Sequence, residues 1–195
     1  KSGAPLEHRR WLSALKAGRS FATNGPLLGM TVDGRSLGDE VALPAGGREV
    51  SVNVRLRSNV PVDHLELVLN GQIVRTIPLD GDRTSAATRV RVSVDRSGWI
   101  LLRARADRPA YPVLDAYPYA TTSPVYLTVG GKPARSPEDA RYFIAWIDRL
   151  RQATEAHRDW NTDAERREAL DLLARARGEF ERRAWDGDGA PAGAR

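Results

Sequence analysis

Between residues 49 and 129 apolar side chains recur at every second position, and that period limits the fold more than any other feature of the chain. Val50, Val52, Val54 and Leu56 alternate with Ser51, Asn53, Arg55 and Arg57, the pattern of a strand with one face buried and one in water. Leu65, Leu67 and Leu69 follow the same rule. Asn70-Gly71 separates that run from a second apolar run over 73–77, and both residues of a type I′ turn need positive φ, so this pair predicts a hairpin. Val90, Val92 and Val94 make a further strand, Trp99, Ile100 and Leu102 another after Ser97-Gly98, and 125–129 a last one before Gly130-Gly131. Six to eight short strands with turn signals between them describe a mainly β fold, an antiparallel sandwich of the Ig-like kind rather than a parallel sheet.

The flanks keep a different period. Leu6, Trp11, Leu12 and Leu15 have helical spacing over 5–16, and Gly18 is a natural stop just beyond. Asn24-Gly25-Pro26 is turn chemistry between two extended pieces, 20–23 and 27–32, and Asp33-Gly34 makes another tight turn. On the far side, Ser136-Pro137-Glu138-Asp139 reads as a helix start: a hydroxyl cap, Pro at the first position and carboxylates against the dipole. Tyr142, Phe143, Trp146, Ile147 and Leu150 form one apolar stripe along it. Thr162-Asp163-Ala164-Glu165 has capping-box spacing and opens a second helix through Leu170, Leu173, Arg177 and Phe180. The chain therefore divides into an N-terminal helix and linker over 1–28, a sandwich over 29–131, a helical hairpin over 136–184 and a disordered tail over 185–195.

Composition narrows the chemistry. A 195-residue chain can bury about 70% of its unfolded surface, and 41% apolar with 28% charged residues is globular composition. No run of apolar residues is long enough to span a membrane, and the opening KSGAPLEHRRW lacks a leader pattern, as in a mature product or a piece of a longer protein. Cysteine is absent, which removes disulfides, thiolate metal sites and a Cys nucleophile. The net charge of +5 comes from 30 basic residues, 27 of them Arg, interleaved with acids along the chain. A diffuse pattern of that kind predicts no nucleic-acid partner.

Chemistry-bearing residues are sparse. The three histidines, His8, His64 and His157, fall in three different elements, without the HxH, HxxxH or HExxH spacing that converges on a metal ion. No GxSxG elbow or phosphate-cradling glycine loop is present. The paired carboxylates Asp80/Asp82 and Asp163/Glu165 sit in a turn and a helix cap. No catalytic, cofactor-binding or metal-ligating residue is therefore assigned. One loop has character: 108–124 holds Tyr111, Tyr117 and Tyr119 with four prolines in seventeen residues. Stiffened aromatic surface of this kind serves either as a platform for sugar rings or as a connection packed on neighbouring structure.

One stretch carries a likeness. Trp11, then Ala17-Gly18-Arg19, Phe21, Thr23-Asn24-Gly25-Pro26, Val32-Asp33-Gly34 and Gly38-Asp39 resemble the region that follows the catalytic barrel in bacterial PHP-type metallohydrolases of the CehA/McbA kind. Leu69-Asn70-Gly71, Ser97-Gly98-Trp99, Thr122-Ser123-Pro124-Val125-Tyr126, Tyr142-Phe143 to Trp146-Ile147-Asp148 and the Glu165-Arg166 helix extend it over nearly the whole chain. The resemblance implies a parent hydrolase whose divalent ions are held by His and acidic ligands in the barrel, N-terminal to the matching region. None of those ligands falls within this sequence, so the implied role is that of a noncatalytic accessory region, with no cofactor of its own, packing against a barrel in the same or a companion chain. Arg19, Thr23, Asn24 and Gly25 are the candidate inter-domain contacts. Tyr111, Tyr117 and Tyr119 are candidate ligand contacts under the alternative reading, a module that binds carbohydrate or a cell-envelope polymer. The sequence fixes no compartment; an extracytoplasmic one suits such a hydrolase.

Overall fold

A computed structural model describes residues 7–113 and 116–185. Among them, α1 (His8–Lys16) leads to β1 (Phe21–Thr23), β2 (Leu27–Val32), β3 (Glu40–Leu43), β4 (Arg48–Arg57), β5 (His64–Leu69) and β6 (Gln72–Thr76). β7 (Ser85–Val94), β8 (Gly98–Arg105), β9 (Tyr119–Thr122) and β10 (Val125–Val129) complete the strands, and α2 (Pro137–Ala156) and α3 (Asp163–Ala184) close the chain. Two compact units result, Lys1–Ala134 and Arg135–Arg195. The tail over 185–195 lies, apart from Trp185, outside the described residues, as do the first two positions of the helix expected over 5–16.

The first unit is a sandwich. One sheet is β2-β4-β7, antiparallel throughout. In the other, β6 pairs β5 and β5 pairs β8; the far edge of β8 is shared, β10 pairing its first residues and β9 its last. β9 and β10 thus act as one edge broken at Ser123-Pro124, with β1 added to β9 and β3 to β10. The β3–β10 pair is parallel, the one departure from the antiparallel expectation: β2 and β3 are successive stretches that cross from one sheet to the other, and the crossing reverses the sense of pairing. This is the Ig-like arrangement.

The alternation seen in the sequence becomes the core. Val32, Val50, Val52, Val54 and Leu56 from one sheet meet Leu65, Leu67, Ile100, Leu102 and Leu127 from the other, all fully buried. Each such side chain contributes about 1.5–3 kcal/mol by leaving water, and the polar partners on alternate positions forbid a one-residue slip. Asn70 and Gly71 both take positive φ, 50° and 84°, in the expected hairpin turn. Asn70 also clasps the neighbouring strand: its backbone N–H donates to the Trp99 carbonyl at 3.0 Å, and its side-chain Oδ1 accepts from the Trp99 N–H at 2.9 Å. Gly98 is required beside it, since a Cβ there would stand 1.8 Å from Asn70 Oδ1.

The second unit is the helical hairpin. Ser136 Oγ accepts from Asp139 N–H at 3.3 Å and Thr162 Oγ1 from Glu165 N–H at 3.2 Å, so both caps form where the sequence places them. Phe143 stacks on Phe180 with centroids 5.0 Å apart, Arg177 bonds Asp148 across the pair at 2.8 Å, and Ala140 and Ile147 are buried. Tyr142, Trp146 and Leu150, on the α2 stripe, remain exposed.

Candidate functional site

The motif residues of the N-terminal segment come together at one corner of the sandwich. α1 ends at Lys16; just beyond it Gly18, with φ of 70°, turns the chain, and the turn lands on a second glycine: a Cβ on Gly38 would lie 1.8 Å from the Ala17 carbonyl oxygen. Only two glycines allow so close a backbone approach. Arg19 then reaches Asp39 at 3.5 Å, and Asp39 Oδ2 accepts from Ser36 N–H at 3.0 Å. Gly38 N–H donates to the Pro124 carbonyl at 2.8 Å, and Ser123 N–H to the Ser20 carbonyl at 2.9 Å. The Ala-Gly-Arg, Gly-Asp and Thr-Ser-Pro pieces, far apart in sequence, thereby form one anchor for the base of α1.

The next turn ties down a different loop. Thr23 Oγ1 accepts from Gly25 N–H at 2.9 Å and donates to the Pro26 carbonyl at 2.5 Å, which closes the turn on itself. Asn24 reaches across to the tyrosine-bearing segment. Its Nδ2 donates to the Tyr117 carbonyl at 2.9 Å and its Oδ1 accepts from Tyr119 N–H at 2.7 Å, while its own amide donates to the Tyr119 carbonyl at 3.1 Å. Gly25 sits over Val113, where a Cβ would approach to 3.2 Å. The two candidate sets, treated separately in the sequence, meet here through backbone groups.

The tyrosines themselves part company. Tyr119 opens β9 and is half-buried, whereas Tyr111 and Tyr117 stand in solvent, 81% and 54% exposed. Residues 114 and 115 of that loop lie outside the described residues.

α1 rises from this corner with no buried residue; Trp11, Leu12 and Leu15, the apolar side of a strongly amphipathic helix, are each about half exposed. The corner is held rigidly and the helix face is left open.

Several other titratable groups have local partners. His64 Nε2 lies 3.0 Å from Asp107 Oδ2, and Asp107 also accepts from Arg105 at 2.7 Å; the His64 hydrogen bond, with the charges of His64 and Arg105, holds the Asp107 carboxyl below its ordinary range. His8 is exposed in the first turn of α1, and His157 caps α2 edge-on to Trp160. Glu66 is buried on the outer face of β5 and is gripped by Arg103 through Nε and Nη2 at 3.0 and 2.7 Å. Among the described residues no group of three or more His, Asp or Glu is placed to hold a metal ion, and no helix is long and apolar enough to cross a membrane.

Sequence reasoning singled out Asn24 as a turn former and missed that it joins the tyrosine loop. A side-chain amide in an exposed turn signals a hydrogen bond, but its partner 95 residues away carries no mark in the sequence. Compared with protein-family models, curated proteins and solved structures, the chain matches none.

Proposed function

We propose that the chain is a noncatalytic accessory region of a PHP-type, CehA/McbA-like bacterial metal-dependent hydrolase, docking on its catalytic barrel through α1. The carrying observation is the contrast at the N-terminal corner. The base of the helix is fixed by Gly18, Gly38 and the Arg19–Asp39 pair, yet Trp11, Leu12 and Leu15 face water. A short helix with an open apolar face gains most of its stability from tertiary packing, so the face requires cover. The likeness of the same residues to the post-barrel segment of that family supplies the partner. Divalent metal then belongs to the barrel, and the sandwich contributes a rigid support.

The test uses the purified chain and the PHP-type barrel encoded in the same or an adjacent reading frame. The chain alone, given manganese or zinc, is expected to leave ester, carbamate and phosphoester substrates intact and to bind the barrel in equal proportion. Trp11→Glu with Leu15→Glu should weaken that binding by at least about tenfold. Turnover by the isolated chain, or undiminished binding by the double variant, overturns the reading. A second reading, a carbohydrate platform, is favoured only by the exposure of Tyr111 and Tyr117. Glycan binding abolished by Tyr117→Ala in the same preparation would put it ahead.

A further inference from the structure

The edge of the three-stranded sheet has the geometry of an acceptor site. β7 runs for ten residues and pairs with β4 along its whole length, and no strand lies on its other side among the described residues. The chain passes from β6 to β7 through residues 77–84 without forming the strand that borders this position in a four-stranded Ig-type sheet. The direction of the free backbone groups follows from alternation. The Thr84 carbonyl accepts from Ser58 N–H at 2.8 Å, on the side of β4, so Ala86, Thr88, Val90 and Val92 also turn their amides and carbonyls inward to the sheet. Ala87, Arg89 and Arg91 turn theirs to the open edge. The Arg91 carbonyl confirms the sense: it accepts from Arg75 Nη2, reaching over from β6, at 3.4 Å.

Beside this edge lies an open cleft of about 700 Å³ between β6 and β7. Leu56, Ile77 and Val90 line it, and Ala86 and Thr88 are too small to fill it. The outer face of the same edge is cationic. Arg89 and Arg91 project from β7 opposite Asn53 and Ser51, and Arg55 and Arg57 lie farther along β4, opposite Ala87 and Ser85; all four arginines are exposed, Arg89 Nε donates to Asn53 Oδ1 at 2.8 Å, and Glu49 lies 3.7 Å from Arg91.

We propose that β7 accepts an extended polypeptide segment of a partner protein, added antiparallel, in which apolar and acidic side chains alternate. The apolar side chains enter the cleft over Leu56, Ile77 and Val90, and the acidic ones stand opposite Arg89 and Arg91. Residues directly opposite Arg89 and Arg91 exchange backbone hydrogen bonds with them, so the amides of the acidic residues carry the pairing. A second copy of the chain does not fit: β7 against β7 would set Arg89 and Arg91 opposite each other, and like charges across a pair are destabilising. This site lies on strands remote in sequence from α1 and does not depend on the docking role given to that helix.

A capped heptapeptide alternating Glu and Val is the probe, titrated into the full 195-residue protein with amide exchange followed residue by residue. Binding should protect the amides of Ala87, Arg89 and Arg91, while those of Val90 and Val92 are protected with or without peptide. N-methylation of the Glu amides should abolish binding, and N-methylation of the Val amides should leave it within about threefold. Replacing Glu by Lys in the peptide should cost at least about tenfold, and Arg89→Glu with Arg91→Glu should reverse that preference. Equal binding of the Lys peptide to the wild-type protein, equal binding of the Glu-methylated peptide, or no saturation by about 1 mM overturns the proposal. The peptide arms need only the wild-type protein, so a variant that fails to fold leaves the test intact.

Discussion

Asn24 uses both ends of its side-chain amide on the start of β9, donating to the Tyr117 carbonyl and accepting from Tyr119 N–H. Two hydrogen bonds at an exposed position contribute about 1–2 kcal/mol together, and Ala makes neither. Asn24→Ala should therefore lower the unfolding free energy by that amount in urea titration. Asn24→Asp keeps the acceptor but sets a carboxylate oxygen against the Tyr117 carbonyl, so it should recover little of that loss. A loss below about 0.3 kcal/mol for the Ala variant would mean that the corner is held by the neighbouring backbone bonds alone. Single residues were legible where chemistry is local: Asn70-Gly71 demanded positive φ at both positions, and Ser136 and Thr162 capped the helices they precede. Asn24 was legible as a turn residue and silent about its partner.

At the scale of elements, α1 illustrates how a short helix is positioned without burying a side chain. Its orientation depends on the contact between the Ala17 carbonyl and Gly38, where φ is 81° and a Cβ would intrude to 1.8 Å. Gly38→Ala should detach the helix while the sandwich, whose core lies elsewhere, stays folded. Amide exchange over His8–Lys16 should rise at least about tenfold, with β4 and β5 unchanged. Unchanged exchange in α1 would show that the glycine contact is not what holds it. Strands with long alternation, β4 and β8, could be read directly because burial and period agree, whereas β5 kept its apolar alternation but buries Glu66 and Val68 on the other face as well. β3 and β9 could not. Each has four residues, and each owes its pairing to a neighbour distant in sequence, β10 for the one and β1 with β8 for the other. The parallel sense of β3 on β10 likewise comes from the crossing between sheets, which no local pattern encodes.

For the whole molecule, the sequence indicated a mainly β sandwich followed by a helical hairpin, and the structure forms both, as one unit over Lys1–Ala134 and another over Arg135–Arg195. Surfaces were harder to read than cores. An apolar residue at helical spacing predicts a helix face, but not whether that face is covered, and Trp11, Leu12 and Leu15 are not. The open edge of β7 was equally hidden, because an edge is the absence of a neighbour. Docking through α1 is tested most directly by a photo-crosslinking amino acid at Leu12, activated in cells that make this protein, with the adduct identified by mass spectrometry. The adduct should join Leu12 to a peptide from a PHP-type metal barrel and vanish in the Gly38→Ala background. Adducts confined to other copies of this chain, or to proteins with no such barrel, would contradict the account.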